Sequence, residues 1–329
     1  MQERAARWFR NRSTTWRDWP LDGLLAAKLR QGLSISLVIP ARDEADTLPA
    51  IVTTLRQALM KDAPLLDEIV VIDSDSADAT AEVAELAGAT VYRAKEIAPE
   101  FGARQGKGEA LWKSLFVVTG DVLVFVDGDL TRWGPHFVTG LLGPLLAAPE
   151  MLLVRAAYAR LRTHPDGTVA AGGGRLTELV ARPLINMHWP ELGGVAQPLA
   201  GEWAARRGLM ESLSIPVGYG VELSTLIDTS SRHGLDAVAQ VHLGERAHRH
   251  RSDADMALAA AELLAVAESR RAGVDVAALG PVELPLFVES PDGWAPPNAR
   301  PVTLDERPPF TSLADPATPP VPPSETDPA

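Results

Sequence analysis

Two carboxylates lie one residue apart directly after an apolar run. Asp127-Gly128-Asp129 follows the residues VLVFV at positions 122–126. A buried strand that ends in two aspartates brings their oxygens to the edge of a sheet, where a hard divalent cation can link them to the phosphates of a ligand. Without such a partner, the two carboxylates would repel each other and would be costly to desolvate. The alternative interpretation is a solvated Asp-Gly turn, which is common after strands.

Three other segments place polar side chains after apolar runs. They are Pro40-Ala41-Arg42-Asp43-Glu44, Asp73-Ser74-Asp75-Ser76-Ala77-Asp78-Ala79-Thr80 and Arg104-Gln105-Gly106-Lys107-Gly108-Glu109. The second segment has more hydrogen-bond acceptors than a helix cap requires, and the surplus suits ribose and base recognition. The third combines two glycines that allow a ligand to approach the backbone, a helix start and the charge of Lys107, which together suit a phosphate. Ordinary helix caps and an exposed loop are the alternatives.

The elements that must position these segments alternate between strand and helix. Continuous apolar, β-branched runs predict buried strands, and helical stretches are predicted between them. The strands are Ser34–Pro40, Glu68–Asp73, Thr90–Arg93 and Val122–Asp127, and the helices span about 45–60, 77–87 and 107–119. This order predicts an α/β fold with a mostly parallel wound sheet and flanking helices. Ligands of such sheets bind at the carboxyl ends of the strands, which is where the polar segments lie.

Composition and charge exclude several classes of protein. The chain has 329 residues, 31 Lys and Arg, 43 Asp and Glu, a net charge of −12 and no cysteine. The acidic excess argues against non-specific nucleic-acid binding, and the lack of cysteine excludes disulfides, thiolate nucleophiles and cysteine-based zinc sites. Neither a dinucleotide fingerprint nor a P-loop is present. Because no apolar run is long enough to span a membrane, we expect a cytoplasmic protein that does not bind membranes.

Several blocks of the sequence resemble a known group of enzymes. LVIPARDEADTL, VVIDSDSADAT, GKGEALWKSL and GDVLVFVDGDL are similar to successive blocks of nucleotide-sugar-dependent glycosyltransferases of the GT-A fold. GGGRLTELVARPLI (172–185), QPLAGEWAARR (197–207), PVGYGVEL (216–223) and LGERAHRH (243–250) resemble the glucosyl-3-phosphoglycerate synthases and the related actinobacterial mannosyl-3-phosphoglycerate synthases. The resemblance covers about residues 34–270 and implies a retaining hexosyltransferase.

The resemblance implies a donor site for a nucleotide sugar and a metal ion, Mg²⁺ or Mn²⁺. Asp129 and His248 are the implied metal ligands, Asp127 faces the ribose or sugar hydroxyls, and Glu222 orients the sugar. Asp127, Asp129, Glu222 and Lys107 form the implied catalytic set. The implied donor-binding residues are Pro40, Ala41, Arg42, Glu44, Ser74, Lys107, Asp127, Gly128, Leu199, Tyr219 and Glu222.

The resemblance also implies an acceptor site for 3-phosphoglycerate. Glycines, a guanidinium and a hydroxyl at the start of a helical pattern suit a phosphate or a carboxylate. The implied acceptor-binding residues are Gly174, Arg175, Thr177, Arg246 and His250. His250 is a departure, since the family has asparagine there; Asp43 in place of asparagine and Gly128 in place of the serine common in the glucosyl enzymes are two others.

The predicted reaction transfers glucose from an NDP-glucose, in the first place UDP-glucose, to the 2-hydroxyl of 3-phospho-D-glycerate. A mannosyl-3-phosphoglycerate synthase that uses GDP-mannose is one alternative, and a catalytically silent nucleotide-sugar-binding adaptor is another. The family resemblance implies a homodimer. We expect the chain to divide into an N-terminal helical arm at 1–33, a catalytic domain at 34–250 with a donor half at about 34–130 and an acceptor half at about 131–250, a helix at 251–275, and a proline-rich, mostly disordered tail at 276–329.

Overall fold

A central sheet with helices on both faces forms the body of the protein. The computed structural model describes residues 1–163, 169–171, 174–248, 253–287, 289–290, 293–295 and 298–313. The strands are β1 (Ser13–Thr15), β2 (Ile35–Ala41), β3 (Glu68–Asp73), β4 (Thr90–Arg93), β5 (Val122–Phe125), β6 (Leu130–Arg132), β7 (Leu153–Thr163), β8 (Val169–Ala171), β9 (Trp203–Arg206), β10 (Ile215–Pro216), β11 (Val238–His248), β12 (Glu283–Leu286), β13 (Glu289–Ser290), β14 (Gly293–Trp294), β15 (Asn298–Pro301) and β16 (Glu306–Arg307). The helices are α1 (Glu3–Arg12), α2 (Leu21–Gln31), α3 (Leu48–Arg56), α4 (Thr80–Ala87), α5 (Lys107–Ser114), α6 (His136–Ala147), α7 (Arg182–His188), α8 (Arg207–Ser212), α9 (Val221–His233) and α10 (Asp253–Ala272).

The main sheet is mostly parallel, as the sequence predicts. Its strand order is β1-β11-β7-β9-β5-β2-β3-β4, with β6 paired to β11 and β8 to β7. Strands β5, β2, β3 and β4 run parallel to one another, and so do β7, β11 and β1. Strand β9 joins the two halves by pairing antiparallel with both β5 and β7. The predicted first half is therefore confirmed, and β9 connects it to the second.

Both faces of the sheet are buried, which explains the continuous apolar runs. Leu37 and Ile39 of β2 pack in one core with residues of α3 and α6. Val38, which points to the other face, packs in a second core with residues of α5 and α9. Since successive side chains of a strand alternate between faces, only a strand covered on both sides needs apolar residues at every position.

The N-terminal residues are part of the sheet. Strand β1 pairs in parallel with β11 and forms one edge of the sheet. The indole Nε1 of Trp8 donates a hydrogen bond of 2.8 Å to the carbonyl of Val238. Trp19 packs so closely on α6 that a Cβ at Gly143 would lie 2.1 Å from its ring. The predicted N-terminal helical arm is thus packed into the body of the protein.

The C-terminal residues differ from the predicted disordered tail. Strand β16 pairs antiparallel with β10, and Val302 and Leu304 are buried in a third core with Val266 of α10. The prolines are compatible with this packing because they favour the extended backbone between contacts. Proline content alone does not reveal that a few side chains, such as Val302, Leu304 and Arg307, anchor this segment to the rest of the protein. Residues 314–329 lie outside the described residues, and across the described part no helix has the length and apolarity to cross a membrane.

Candidate active site

The polar segments meet at the carboxyl edge of the sheet, as predicted. The backbone N–H of Ser74, after β3, donates to the carbonyl of Ala41 at 2.9 Å, and Thr47 Oγ1 donates to the carbonyl of Gly128 at 2.6 Å. Arg42 reaches the third segment through a 3.5 Å hydrogen bond to Gln105. Strand β5 ends at Phe125, two residues earlier than predicted, so both aspartates lie in the loop that follows it.

Five charged side chains form an unbroken series of ion pairs beside this loop. Lys107 Nζ lies 2.6 Å from Asp127 Oδ1 and 2.7 Å from Glu222 Oε1. Arg246 Nη2 lies 2.7 Å from Asp127 Oδ2, and its Nε lies 2.9 Å from Glu202 Oε1. We call the series Glu222, Lys107, Asp127, Arg246 and Glu202 the charge chain. It fixes the position of Asp127 from both sides, because each of its oxygens accepts from a different cation.

Both cations of the charge chain are held in the protonated form. Burial by itself would lower the pKa of the Lys107 ammonium, but Asp127 and Glu222 raise that pKa well above its ordinary value. Burial likewise opposes the charge of Arg246, whose pKa is nevertheless raised by Glu202 and the neighbouring acids. Lys107 is therefore a fixed positive charge rather than a proton donor or acceptor.

Two glycines bring Glu222 within reach of Lys107. A Cβ at Gly106, whose φ is +150°, would lie 2.2 Å from the carbonyl oxygen of Val217, and one at Gly108 would lie 1.8 Å from that of Pro216. The sequence analysis assigned these glycines to the approach of a ligand. Instead they admit the backbone that leads into α9, where Glu222 lies in the first turn.

One member of the charge chain, Glu202, and two residues that support it, Gly201 and Arg155, are not among the residues predicted from the sequence. Glu202 is fully buried, and Gly201 leaves room for Asp127, because a Cβ there would lie 2.0 Å from Asp127 Oδ2. The Arg155 guanidinium donates to the carbonyl of Glu222 and to Thr225 Oγ1, and burial lowers its pKa to about 10. In the sequence, Gly201 in the LAGEW block is a signal that could have drawn attention to Glu202 beside it. Arg155 lies in a mixed apolar and polar strand that gave no signal.

The predicted acceptor segment approaches the donor side through β7. Gly174 has a φ of +77°, and a Cβ there would lie 3.2 Å from the Arg160 side chain. The guanidinium groups of Arg160 and Arg246 lie on the same Tyr158 ring, each 5.4 Å from its centroid. Tyr158 therefore contacts both Arg160, next to the predicted acceptor segment, and Arg246 of the charge chain. The helix predicted after Gly174 begins with a π-helical turn at Thr177–Ala181 and continues as α7.

Arg246, which is predicted from the sequence to bind the acceptor, forms ion pairs with acidic side chains of the protein. Its side chain is only 3% exposed and is held by Glu202 and Asp127, 3.8 Å from Asp129 Oδ1. These contacts fix the position of Asp127, and the acceptor-binding role of Arg246 stays a prediction. Arg175 and the buried Thr177 follow Gly174 in the predicted acceptor segment.

The remaining predicted residues lie around the same edge. Tyr219 is 38% exposed, and its backbone N–H donates to Glu262 Oε2 at 2.7 Å. The residues predicted to bind the donor lie at the end of β2 and just beyond it (Pro40, Ala41, Arg42, Glu44), after β3 (Ser74), at the first residue of α5 (Lys107), after β5 (Asp127, Gly128), before β9 (Leu199), just before α9 (Tyr219) and in its first turn (Glu222). His250 lies outside the described residues.

The residues next to Asp129 suit a divalent cation. The backbone of His248 pairs with Leu130, the residue that follows Asp129, although its side chain lies outside the described part. A carboxylate and an imidazole are a chemically sensible pair of ligands for Mg²⁺ or Mn²⁺, and substrate phosphates commonly complete the coordination of these ions. Within the described side chains there is no group of three or more histidine, cysteine or acidic residues that could hold a metal ion. Asp129 and His248 are thus a pair of protein ligands that fits a cation whose other ligands come from a bound phosphate group.

Known proteins match this chain over nearly its full length. The family model described as Glycosyl transferase family 2 matches residues 36–164. Glucosyl-3-phosphoglycerate synthase of Mycolicibacterium paratuberculosis is 42% identical over 311 residues, which cover 93% of this chain and 92% of that protein. A crystal structure of glucosyl-3-phosphoglycerate synthase from Mycobacterium tuberculosis in complex with Mn²⁺, UDP and phosphoglyceric acid has a TM-score of 0.80 at 41% identity, covering 92% of this chain and 98% of that chain.

A second solved structure is similarly close. Mannosyl-3-phosphoglycerate synthase from Rubrobacter xylanophilus has a TM-score of 0.83 at 37% identity, covering 94% of this chain and 99% of that chain. These matches confirm the GT-A glycosyltransferase fold and the family resemblance inferred from the sequence motifs. The chain belongs to the glucosyl-3-phosphoglycerate synthase family of glycosyltransferases.

Proposed function

We propose that this hexosyltransferase moves glucose from UDP-glucose to the 2-hydroxyl of 3-phosphoglycerate, with retention of the α-configuration. The observation that carries the proposal is the charge chain, in which Lys107 lies between Asp127 and Glu222 at the carboxyl edge of β5. The relatives support the substrates, because the Mycobacterium tuberculosis enzyme was crystallised with Mn²⁺ and UDP-glucose, with phosphoglyceric acid, and with glucosyl-3-phosphoglycerate.

On the donor side, the charge chain supplies both an orienting and a neutralising group. Glu222 accepts hydrogen bonds from glucose hydroxyls, and the Lys107 ammonium lies where it stabilises charge that develops on the departing diphosphate. Asp127 and Glu222 keep Lys107 in place before the donor arrives, so no reorganisation is required in the transition state. A divalent cation bound by Asp129 and His248 would neutralise the same diphosphate.

On the acceptor side, cationic and hydrogen-bonding groups hold an anion. Arg175, the hydroxyl of Thr177 and the backbone at Gly174 provide partners for the carboxylate and phosphate of 3-phosphoglycerate. This local concentration of donors is necessary because the net charge of −12 would otherwise repel an anionic acceptor. The Gly174 backbone adopts the left-handed conformation that this turn requires.

The transfer step exchanges one carbon–oxygen bond for another on the same face of the sugar. The bond between the anomeric carbon and the diphosphate oxygen breaks, and a bond from the acceptor 2-hydroxyl oxygen to that carbon forms. The hydroxyl proton passes to the departing phosphate oxygen, so the step needs no separate base. The permanent positive charge of Lys107 agrees with this scheme, since it stabilises the leaving group without exchanging a proton.

Donor and acceptor preference test the proposal directly. We expect the highest kcat/KM for UDP-glucose with 3-phosphoglycerate, measured by UDP release and by the mass of the product. With 2-phosphoglycerate, whose 2-hydroxyl is blocked, we expect no product. A higher kcat/KM for GDP-mannose would identify a mannosyl transferase instead, and tight UDP binding without turnover of any sugar nucleotide would identify the silent adaptor.

The mannosyl alternative has one structural observation in its favour. Gly128, where serine is common in the glucosyl enzymes, leaves space above Glu44, since a Cβ at Gly128 would be 3.5 Å from Glu44 Cγ. This distance is an ordinary contact, so a side chain would fit, and its absence leaves that space open next to Glu44. The Rubrobacter xylanophilus structure is also as similar in fold as the glucosyl enzyme. The names of three curated relatives at 42–43% identity, all glucosyl-3-phosphoglycerate synthases, favour glucose.

We further propose that the enzyme acts in the cytoplasm as a homodimer. Large apolar side chains are exposed on neighbouring elements: Leu179 in the π-helical turn, Met187 on α7 and Leu264 on α10 are 73%, 72% and 50% exposed. Burying such side chains against a second copy would remove apolar surface from water. Sedimentation velocity at micromolar concentration is expected to give the mass of two chains, and a single 35.2 kDa species would contradict the proposal.

A further inference from the structure

The segment from Leu304 to Leu313, which we call the C-terminal strap, packs against the helix that carries Lys107. Its strand β16 pairs with β10, and the carbonyl of Asp305 accepts a 2.9 Å hydrogen bond from the backbone N–H of Val217. The indole of Trp112, on α5, donates to the carbonyl of Pro308 at 2.9 Å. The strap therefore contacts both α5 and the backbone that leads to Glu222.

One side chain of the strap, Arg307, joins three elements. Its Nε and Nη2 donate to the two oxygens of Glu109, each at 2.6 Å, and Glu109 lies two residues after Lys107 on α5. Its Nη1 donates to the carbonyl of Phe101 at 2.8 Å and its Nη2 to that of Gly102 at 3.3 Å. Residues 101–106 form the segment that precedes α5. The guanidinium thus ties the strap to both the helix and the segment that leads into it.

The Arg307 contacts are buried, so they are costly to break. Arg307 is 4% exposed and Glu109 is 1% exposed. Removing one partner of a buried ion pair leaves an uncompensated charge in the interior. A planar guanidinium suits this site because it can hold a carboxylate with two parallel bonds and still donate to two carbonyls, which an ammonium cannot do in the same geometry.

These contacts act on the position of Lys107. Glu109 also donates its backbone N–H to the carbonyl of Val217 at 3.0 Å, so the first turn of α5 is tied to the strap on one side and to the 216–222 segment on the other. Lys107 is the first residue of that turn. A small shift of the turn would lengthen the contacts of 2.6 and 2.7 Å from Lys107 to Asp127 and Glu222.

We propose that Arg307 is a positioning residue for donor turnover. It holds the first turn of α5 and residues 101–106 so that Lys107 stays between Asp127 and Glu222. The proposal rests on the proposed function in one respect, which is that Lys107 faces the diphosphate of the donor. It assigns the C-terminal strap a role in catalysis although the strap contributes no side chain to the charge chain.

The test compares three variants. Arg307→Lys keeps the charge but loses the planar fork, Arg307→Gln loses both, and Arg300→Lys is the matched control. Arg300 lies in the same C-terminal part of the chain and forms an exposed ion pair with Asp255 at 3.4 Å. Each variant is measured by steady-state kinetics in both substrates, by calorimetric UDP binding, by thermal melting, and by the rate of tryptic cleavage after Arg104.

We expect both Arg307 variants to lower kcat/KM for UDP-glucose by up to about 10²-fold, as displacement of a catalytic group does, with little change in KM for 3-phosphoglycerate. Tryptic cleavage after Arg104 should be faster at temperatures well below the melting transition, because Arg104 is 3.1 Å from Asp305 of the strap in an ion pair that the same packing supports. UDP should bind more weakly. Arg300→Lys should match the wild-type protein in every measurement.

Lower thermal stability with kcat and the donor KM within twofold of wild type would overturn the proposal, since Arg307 would then only stabilise the fold. If Arg307→Gln does not fold, Arg307→Lys decides the outcome. If the wild-type protein does not turn over UDP-glucose, the proposed function fails, and UDP binding and cleavage after Arg104 still test the positioning role separately.

Discussion

Lys107→Met is expected to lower kcat with UDP-glucose and 3-phosphoglycerate by about 10³-fold, the upper range for loss of one preorganised electrostatic group. The wild-type ammonium lies between two carboxylates at 2.6 and 2.7 Å and is well placed to meet the departing diphosphate. Methionine preserves most of the length of the side chain but removes its charge. Asp127 and Glu222 would then face each other and the diphosphate with no cation between them. Steady-state kinetics at saturating donor measure the loss.

The pH dependence of the Lys107 effect follows from the direction of its pKa. Because Asp127 and Glu222 raise the pKa of Lys107, the ammonium is present at every pH below that raised value. Its contribution to stability is fully present below the ordinary lysine pKa and is lost only as the pH rises through the raised value of the folded protein. Lys107→Met should therefore lower activity by the same factor from about pH 6 to pH 9. A factor that shrinks as pH rises across this range would show instead that Lys107 loses its proton there.

Lys28→Met is the matched control for this prediction. The Lys28 side chain is 13% exposed, close to the 14% of Lys107, and it is paired with Asp67 at 2.8 Å. Asp67 lies just before β3, at the opposite edge of the sheet from the charge chain. We expect the kinetics of Lys28→Met to stay within twofold of wild type. A Lys107→Met enzyme that retained more than a tenth of the wild-type kcat would contradict the assignment.

The sequence was sufficient to predict the donor half of the fold for a physical reason. The strands β2, β3 and β5 are covered on both faces, so most of their positions are apolar, and the polar exceptions Ser36, Glu68 and Asp73 lie near the strand ends. In contrast, β7 carries Arg155 and Arg160 among its apolar residues. A mixed pattern of this kind does not indicate a buried strand. The hydrogen-bond partners that allow these arginines to lie within the fold are distant in sequence: Arg155 donates to the Glu222 carbonyl and Arg160 to Gln197.

The same limitation explains which site residues were found. Asp127, Asp129 and Lys107 lie at strand or helix ends, where local pattern and function coincide. Glu202 and Arg307 act through partners that are 44 and 198 residues away, namely Arg246 and Glu109. No local pattern records such a pair, and the proline content of the last segment even suggested disorder. Local sequence patterns therefore indicate the residues that we propose to face the substrates more readily than the residues that hold them in place.

Asp129→Ala is expected to abolish the stimulation of turnover by Mn²⁺, a loss of about 10³-fold, because a metal that stabilises transition-state charge contributes several kcal/mol. Asp129 lies beside the end of β11, where His248 is the other proposed ligand. Because the protein supplies few ligands, removing one should also weaken Mn²⁺ binding to the enzyme with UDP. Electron paramagnetic resonance of Mn²⁺ in the presence of UDP measures that binding separately from activity.

The neighbouring aspartate should respond differently, since each of its oxygens already accepts from a cation. Asp127 is paired with Lys107 at 2.6 Å and with Arg246 at 2.7 Å. Asp127→Ala should therefore lower kcat but retain Mn²⁺ binding with UDP.

Asp121→Asn is the control at the opposite end of β5, where Asp121 accepts a hydrogen bond from the Ser34 backbone N–H at 2.8 Å. It should lower thermal stability and leave the Mn²⁺ response unchanged. If Mn²⁺ binding survived in Asp129→Ala but was lost in Asp127→Ala, the metal ligand would be Asp127 and not Asp129.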